Sequence, residues 1–165
     1  MTSSFAGAAA LAGRRRLLAL LSLVVLAVAA VPSLAADPPP ALVIIAHEKN
    51  PMKAVTHDEL RNIWLGRLGF WSDNSAVRVF DRPIDRDAGQ AFYRDILKMV
   101  PARFRHHWQA QQLSGRGIAP EPIAAVDAVV ALVAATPGGI SYLHTTEVPA
   151  LLPKGVVVVP FAAKR

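Results

Sequence analysis

Leu42-Val43-Ile44-Ile45-Ala46 is an unbroken apolar run rich in β-branched side chains. A strand with one face in water alternates apolar and polar residues, whereas a run without alternation fits a strand buried on both faces. The stretch predicts a strand at the centre of a sheet, covered on each side.

Toward the C-terminus, His47-Glu48-Lys49-Asn50-Pro51 breaks the strand, and Thr56-His57-Asp58-Glu59 has the spacing of a capping box. A helix is expected from there, with Leu60, Ile63 and Trp64 on its apolar face and Gly66 placed to end it. Leu68 to Ser75 reads as a loop whose Phe70 and Trp71 either plug a core edge or face a ligand, the first being the simpler reading. Val77 to Phe80 is a second strand, and the polar segment Asp81-Arg82-Pro83-Ile84-Asp85-Arg86-Asp87 reverses the chain. From Asp87 to Met99, Phe92, Ile96 and Met99 recur at helical spacing, and Pro101 opens a further helix through Trp108. After the turn Ser114-Gly115-Arg116-Gly117, Pro120 and Pro122 precede a helix carrying Val126, Val129, Val130 and Val133, which Pro137-Gly138-Gly139 stops. Ile140 to Leu143 and Val156 to Val159 complete the strands. Interleaved strands and helices predict an α/β fold, a mixed sheet covered by helices, with no internal repeat.

Toward the N-terminus, Arg14, Arg15 and Arg16 precede an apolar run from Leu17 to Val31 broken only by Ser22. Ser33 and Ala35 then occupy the positions a signal peptidase reads, so residues 1–35 are expected to be a signal peptide cleaved before Ala36. An uncleaved anchor is the alternative, although about 15 apolar residues fall short of the roughly 20 needed to span a bilayer. The arginine triplet loosely resembles a twin-arginine signal and leaves the export route open. Residues 36–41, with Asp37-Pro38-Pro39-Pro40, read as a stiff linker, and 42–165 as one domain.

Three arginines and no acid leave with the signal, so Lys plus Arg falls from 18 to 15 against 12 Asp plus Glu, and the net charge from +6 to +3. Without a basic stripe, that balance does not indicate a nucleic-acid partner. The absence of cysteine excludes disulfides, thiolate metal sites and cysteine nucleophiles. His106 and His107 are adjacent on an expected helix and cannot chelate from one face, and His47, His57 and His144 show no ligand spacing, so no metal is expected. No serine sits in a nucleophile elbow. Asp81, Asp85 and Asp87 stand beside Arg82 and Arg86, which favours ionised, salt-bridged surface carboxylates over an acid–base pair. Neither enzyme chemistry nor a cofactor is indicated. Arg82 and Arg86 precede a helix start, where unpaired N–H groups and a guanidinium can hold an anion; pairing with the neighbouring aspartates is the bland alternative.

Several motifs, taken in order, carry a resemblance: Thr56 to Gly66 followed by Trp71, Arg82 ten residues before Phe92, Trp108 with Gly115, Gly117 and Pro120, and Pro137-Gly138-Gly139-Ile140-Ser141-Tyr142. Together, from about Val43 to Leu143, they resemble the solute-binding component of bacterial phosphate ABC transporters, a periplasmic-binding-protein family, in a short, single-lobe form. The resemblance implies one lobe of a clamshell, with the ligand at helix N-termini beyond strand ends. It also implies an exported, periplasmic protein that binds phosphate or a similar small oxyanion through Arg82, with Arg86 as a substitute donor, and works with a membrane permease or receptor. In the larger relatives the arginine matching Arg82 leads into a Ser-Gly-Thr turn that holds phosphate; here Arg86, Asp87 and Ala88 stand at those positions. The alternative is an accessory or sensory lobe that docks on a membrane partner without tight ligand capture.

Overall fold

A computed structural model describes residues 41–162. The expected signal peptide and nearly all of the linker lie outside the described residues.

The apolar run forms β1 (Leu42–His47), and it is central. It pairs antiparallel with β3 (Gly139–His144) on one side and with β4 (Val156–Val159) on the other. A short β2 (Arg78–Val79) adds in parallel to β3, so the strand order is β2-β3-β1-β4 and the sheet is mixed. Side chains alternate across β1: Ile44 and Ala46 enter one core, Ile45 the other. The first core is closed by α1 (His57–Trp64), α2 (Asp87–Ala91) with the π-helical turns Phe92–Leu97 that continue it, and α3 (Pro101–Leu113). The second is closed by α4 (Val126–Ala135), through Val129, Val130 and Val133. The expected α/β architecture is therefore present, with helices on both faces.

α1 starts as its sequence dictates. The Thr56 hydroxyl accepts from the Glu59 N–H at 3.1 Å, while the Glu59 carboxylate accepts from the Thr56 N–H at 2.7 Å. Leu60, Ile63 and Trp64 are buried, and Gly66 lies just past the end with φ +67°. Space as well as conformation demands glycine there, because a Cβ would sit 2.7 Å from the Trp108 ring. That ring donates its Nε1–H to the Trp64 carbonyl at 3.2 Å, tying α3 to the end of α1.

Other details depart from expectation. The helix containing Phe92 was expected to reach Met99, but it widens into π-helical turns and stops at Leu97, where Lys98 turns left-handed with φ 51°. Phe92, Tyr93, Ile96 and Leu97 are all buried as a result of that course, and the Phe92 ring stacks on Tyr142 at 3.9 Å. The α4 helix, by contrast, carries Val126, Val129, Val130 and Val133 as expected, and it begins at Val126, four residues after Pro122. Of the two loop aromatics, Trp71 is buried and donates its Nε1–H to the Gly138 carbonyl at 3.0 Å, whereas Phe70 is exposed.

Candidate functional site

β2 and β3 run parallel and end on the same side of the sheet, so the segments that follow them, from Asp81 and from His144, converge. Asp81 is the first polar residue after the strand. Its position was expected on the surface among salt bridges, but it is buried, and its partners are aromatic donors. Trp64 Nε1 and the Tyr142 hydroxyl donate to Oδ1 at 3.0 and 2.8 Å, and the Tyr93 hydroxyl donates to Oδ2 at 3.2 Å. Burial pushes the Asp81 pKa up, and the three donors only partly oppose that by favouring the ionised form. Burial first, and the nearby Asp81 charge second, push both tyrosine hydroxyls up as well, so they remain donors at any ordinary pH.

Arg82 is 2% exposed. Nη1 donates to the carbonyls of Ile123 and Ala124, both at 2.8 Å, and Nη2 to Glu147 Oε1 at 2.8 Å. Glu147 lies in a 3₁₀ turn (Thr145–Glu147) directly after β3, and its Oε2 accepts from the His144 N–H at 3.0 Å. One guanidinium thus joins the exit of β2, the approach to α4 and the turn after β3. Pairing of Arg82 with the neighbouring aspartates is not what forms: its carboxylate partner is Glu147. The reason is that Asp81 is already surrounded by uncharged donors, while Asp85 and Asp87 are exposed. Arg82 Nε is buried without a partner.

Arg86 behaves differently. It occupies the N-cap position of α2 without a side-chain cap, is exposed, and makes no ion pair among the described residues. Helix α2 packs tightly on the loop before it, because a Cβ on Gly89 would lie 2.2 Å from the Pro83 carbonyl oxygen.

Beside this loop lies a cavity of about 470 Å³, walled by Tyr93, Phe104 and Trp108 and reached by Asp81, Arg82 and Arg105. Arg86, Asp87 and Ala88 do not line it. The two arginines singled out by sequence therefore share a loop but not a cavity. Sequence reasoning missed Glu147, Tyr93 and Arg105. Tyr142 carried a signal through its place after Pro137-Gly138-Gly139, as did Trp64 and Trp108 through their motifs.

The histidines are occupied separately: His107 Nε2 meets the Leu65 carbonyl at 3.0 Å, His47 Nδ1 accepts from the Lys49 N–H, and His57 stacks on Phe161. Among the described residues, no group of three or more His, Asp or Glu side chains is placed to hold a metal, and no helix is long and apolar enough to cross a membrane.

No protein-family model matches the chain, and no curated protein does. Solved structures do. An ABC-type phosphate transport receptor from Vibrio cholerae superposes with a TM-score of 0.54 at 14% identity, over 73% of this chain and 46% of that one. PstS from Borrelia burgdorferi gives 0.57 at 12% identity, over 76% and 48%. A Clostridium perfringens structure of the same transporter class, with bound phosphate, gives 0.55 at 17%, over 72% and 44%. The chain spans less than half the length of each of these proteins. Its fold is similar to that of the matched part, somewhat under half, of these phosphate ABC transporter substrate-binding proteins, as a single-lobe form would be.

Proposed function

We propose that the domain is a solute-binding-type lobe that takes phosphate or a similar small oxyanion at the loop from Arg82 to Asp87. The observation that carries this reading is Arg86, an exposed guanidinium with no ion-pair partner among the described residues, standing at a helix entrance of this fold. Arg86 is the contacting group, and Arg82, committed to Glu147 and two carbonyls, holds the loop in place. Capture is weak. Glu147 neutralises Arg82, Asp87 opposes an anion, and one lobe leaves the ligand hydrated on its open side, where charge-assisted hydrogen bonds lose most of their advantage. The affinity expected is near millimolar, about 4 kcal/mol. The reading includes export through the leader at residues 1–35 and work alongside an ABC permease.

A specific observation favours a second reading. Both Nη atoms of Arg82 already serve the fold, as suits an accessory or sensory lobe that docks on a membrane partner without capturing solute. Phosphate titration followed by amide NMR separates the two. Saturable shifts centred on residues 81–90, abolished by Arg86→Ala, support the first; a flat titration to about 50 mM, more than tenfold above the expected constant, supports the second. An intact mass beginning at Ala36 supports export, and one beginning at Met1 opposes it.

A further inference from the structure

The cavity beside the loop has a character that inorganic oxyanions do not need. Its volume of about 470 Å³ equals the share of roughly 15 liquid waters. A phosphate ion would leave most of it unfilled. Its wall is a run of aromatic rings held edge to face: Tyr93 against Phe104 at 5.1 Å and 72°, Phe104 against Trp108 at 6.4 Å and 69°. Each of these residues is at most 8% exposed, so the rings form a rigid wall of which only edges face the cavity, and Ile84, Pro101, Ala119 and Pro120 complete the apolar lining that a ligand body would cover.

The charged groups lining the cavity differ in availability. Asp81 is surrounded by its three donors and Arg82 is paired with Glu147. Arg105 and Asp85 remain, both exposed and both without an ion-pair partner among the described residues. Arg105 lies on α3, the helix that also supplies Phe104 and Trp108. Gln109, one turn further along α3, adds an amide to the same cavity.

We propose that this cavity binds a small carboxylate with a flat apolar body, the body lying against Phe104 and Trp108 and the carboxylate meeting Arg105. Asp85 lowers the affinity and sets a preference for monoanions over more highly charged ones. The cavity shares Arg82, Pro83, Ile84 and Asp85 with the oxyanion loop, but Arg86, the contacting group of that reading, does not line it, and the carboxylate proposal does not rest on the oxyanion reading.

Phenylacetate is a suitable probe, with phenethylamine as the cation of similar body and inorganic phosphate as the bare anion. The purified protein is titrated with each, followed by tryptophan fluorescence and amide NMR. Phenylacetate is expected to saturate at roughly millimolar concentration, in line with its few heavy atoms, with shifts at Tyr93 and along residues 101–112. Arg105→Gln, an exposed position, should weaken it about tenfold, and Asp85→Asn should tighten it by removing like charge. Phenethylamine should bind at least tenfold more weakly. Absence of saturation with phenylacetate, equal affinity for the amine, an Arg105→Gln variant that binds like the parent, or competitive displacement of phenylacetate by phosphate would each overturn the proposal.

Discussion

Arg82→Ala removes a guanidinium whose side chain is 1% exposed and which makes three hydrogen bonds of 2.8 Å. The acceptors stay behind. The carbonyls of Ile123 and Ala124 each lose a donor, at about 1 kcal/mol apiece. Glu147 loses its counter-charge, and because 24% of its side chain is exposed it rehydrates in part, which puts the whole change near 4 kcal/mol, within the range for a broken buried pair. With a slope of about 2 kcal/mol per molar, the urea midpoint should fall by about 2 M. Trp64, Trp71 and Trp108 are all buried, so tryptophan fluorescence reports the transition. Arg86→Ala should leave the midpoint unchanged to within about 0.5 kcal/mol, as an exposed position without a partner. A cycle combining Arg82→Ala with Glu147→Ala should return a coupling of about 1 to 3 kcal/mol. An Arg82→Ala midpoint within about 0.3 M of the parent, less than 1 kcal/mol at that slope, would refute the claim that this arginine fastens the fold.

Thr56→Ala should cost about 1 kcal/mol through loss of the cap on α1, read in the same urea titrations, and should not alter phosphate-induced shifts. Gly89→Ala forces a Cβ to 2.2 Å from the Pro83 oxygen and should cost about 2 kcal/mol or more, as overpacking against backbone does; a thermal midpoint equal to the parent's would contradict the close approach. Burial raises the Asp81 pKa above that of the unfolded chain, so the folded state holds this proton more tightly. Compared with Asp81→Asn, the parent should therefore be favoured in acid and lose that advantage as pH rises from about 4 through the raised pKa; parallel stability–pH curves for the two proteins would show that Asp81 does not titrate this way.

The parts of this fold that sequence discloses are those decided within one element. The Thr56–Glu59 box, the Leu60, Ile63, Trp64 stripe and the unalternating run at Leu42 each encode a local periodicity or cap, and each forms. Arg82 shows the opposite case. Its sequence neighbours are aspartates, which makes a local pair the obvious inference, yet its partner lies 65 positions away at Glu147. Nothing in composition or spacing ranks that glutamate above others. The cavity was equally illegible, since Tyr93 lies on one helix and Phe104 and Trp108 on the next, and only packing turns them into one wall. The end of the Phe92 helix was misjudged because a π-helical course shifts the period that the expectation to Met99 assumed.

Among the strands of the described residues the central one is synthesised first, and both of its partners come late. Ile44 pairs with Tyr142 and with Val159, so roughly 100 residues must be synthesised before either edge of β1 can be satisfied, a contact pattern that slows folding. Until then Leu42 to Ala46 is an apolar segment with two open edges, the kind that pairs with whatever strand it meets. The nascent chain therefore spends most of its synthesis without a sheet, in a form that chaperones can hold and that self-association threatens.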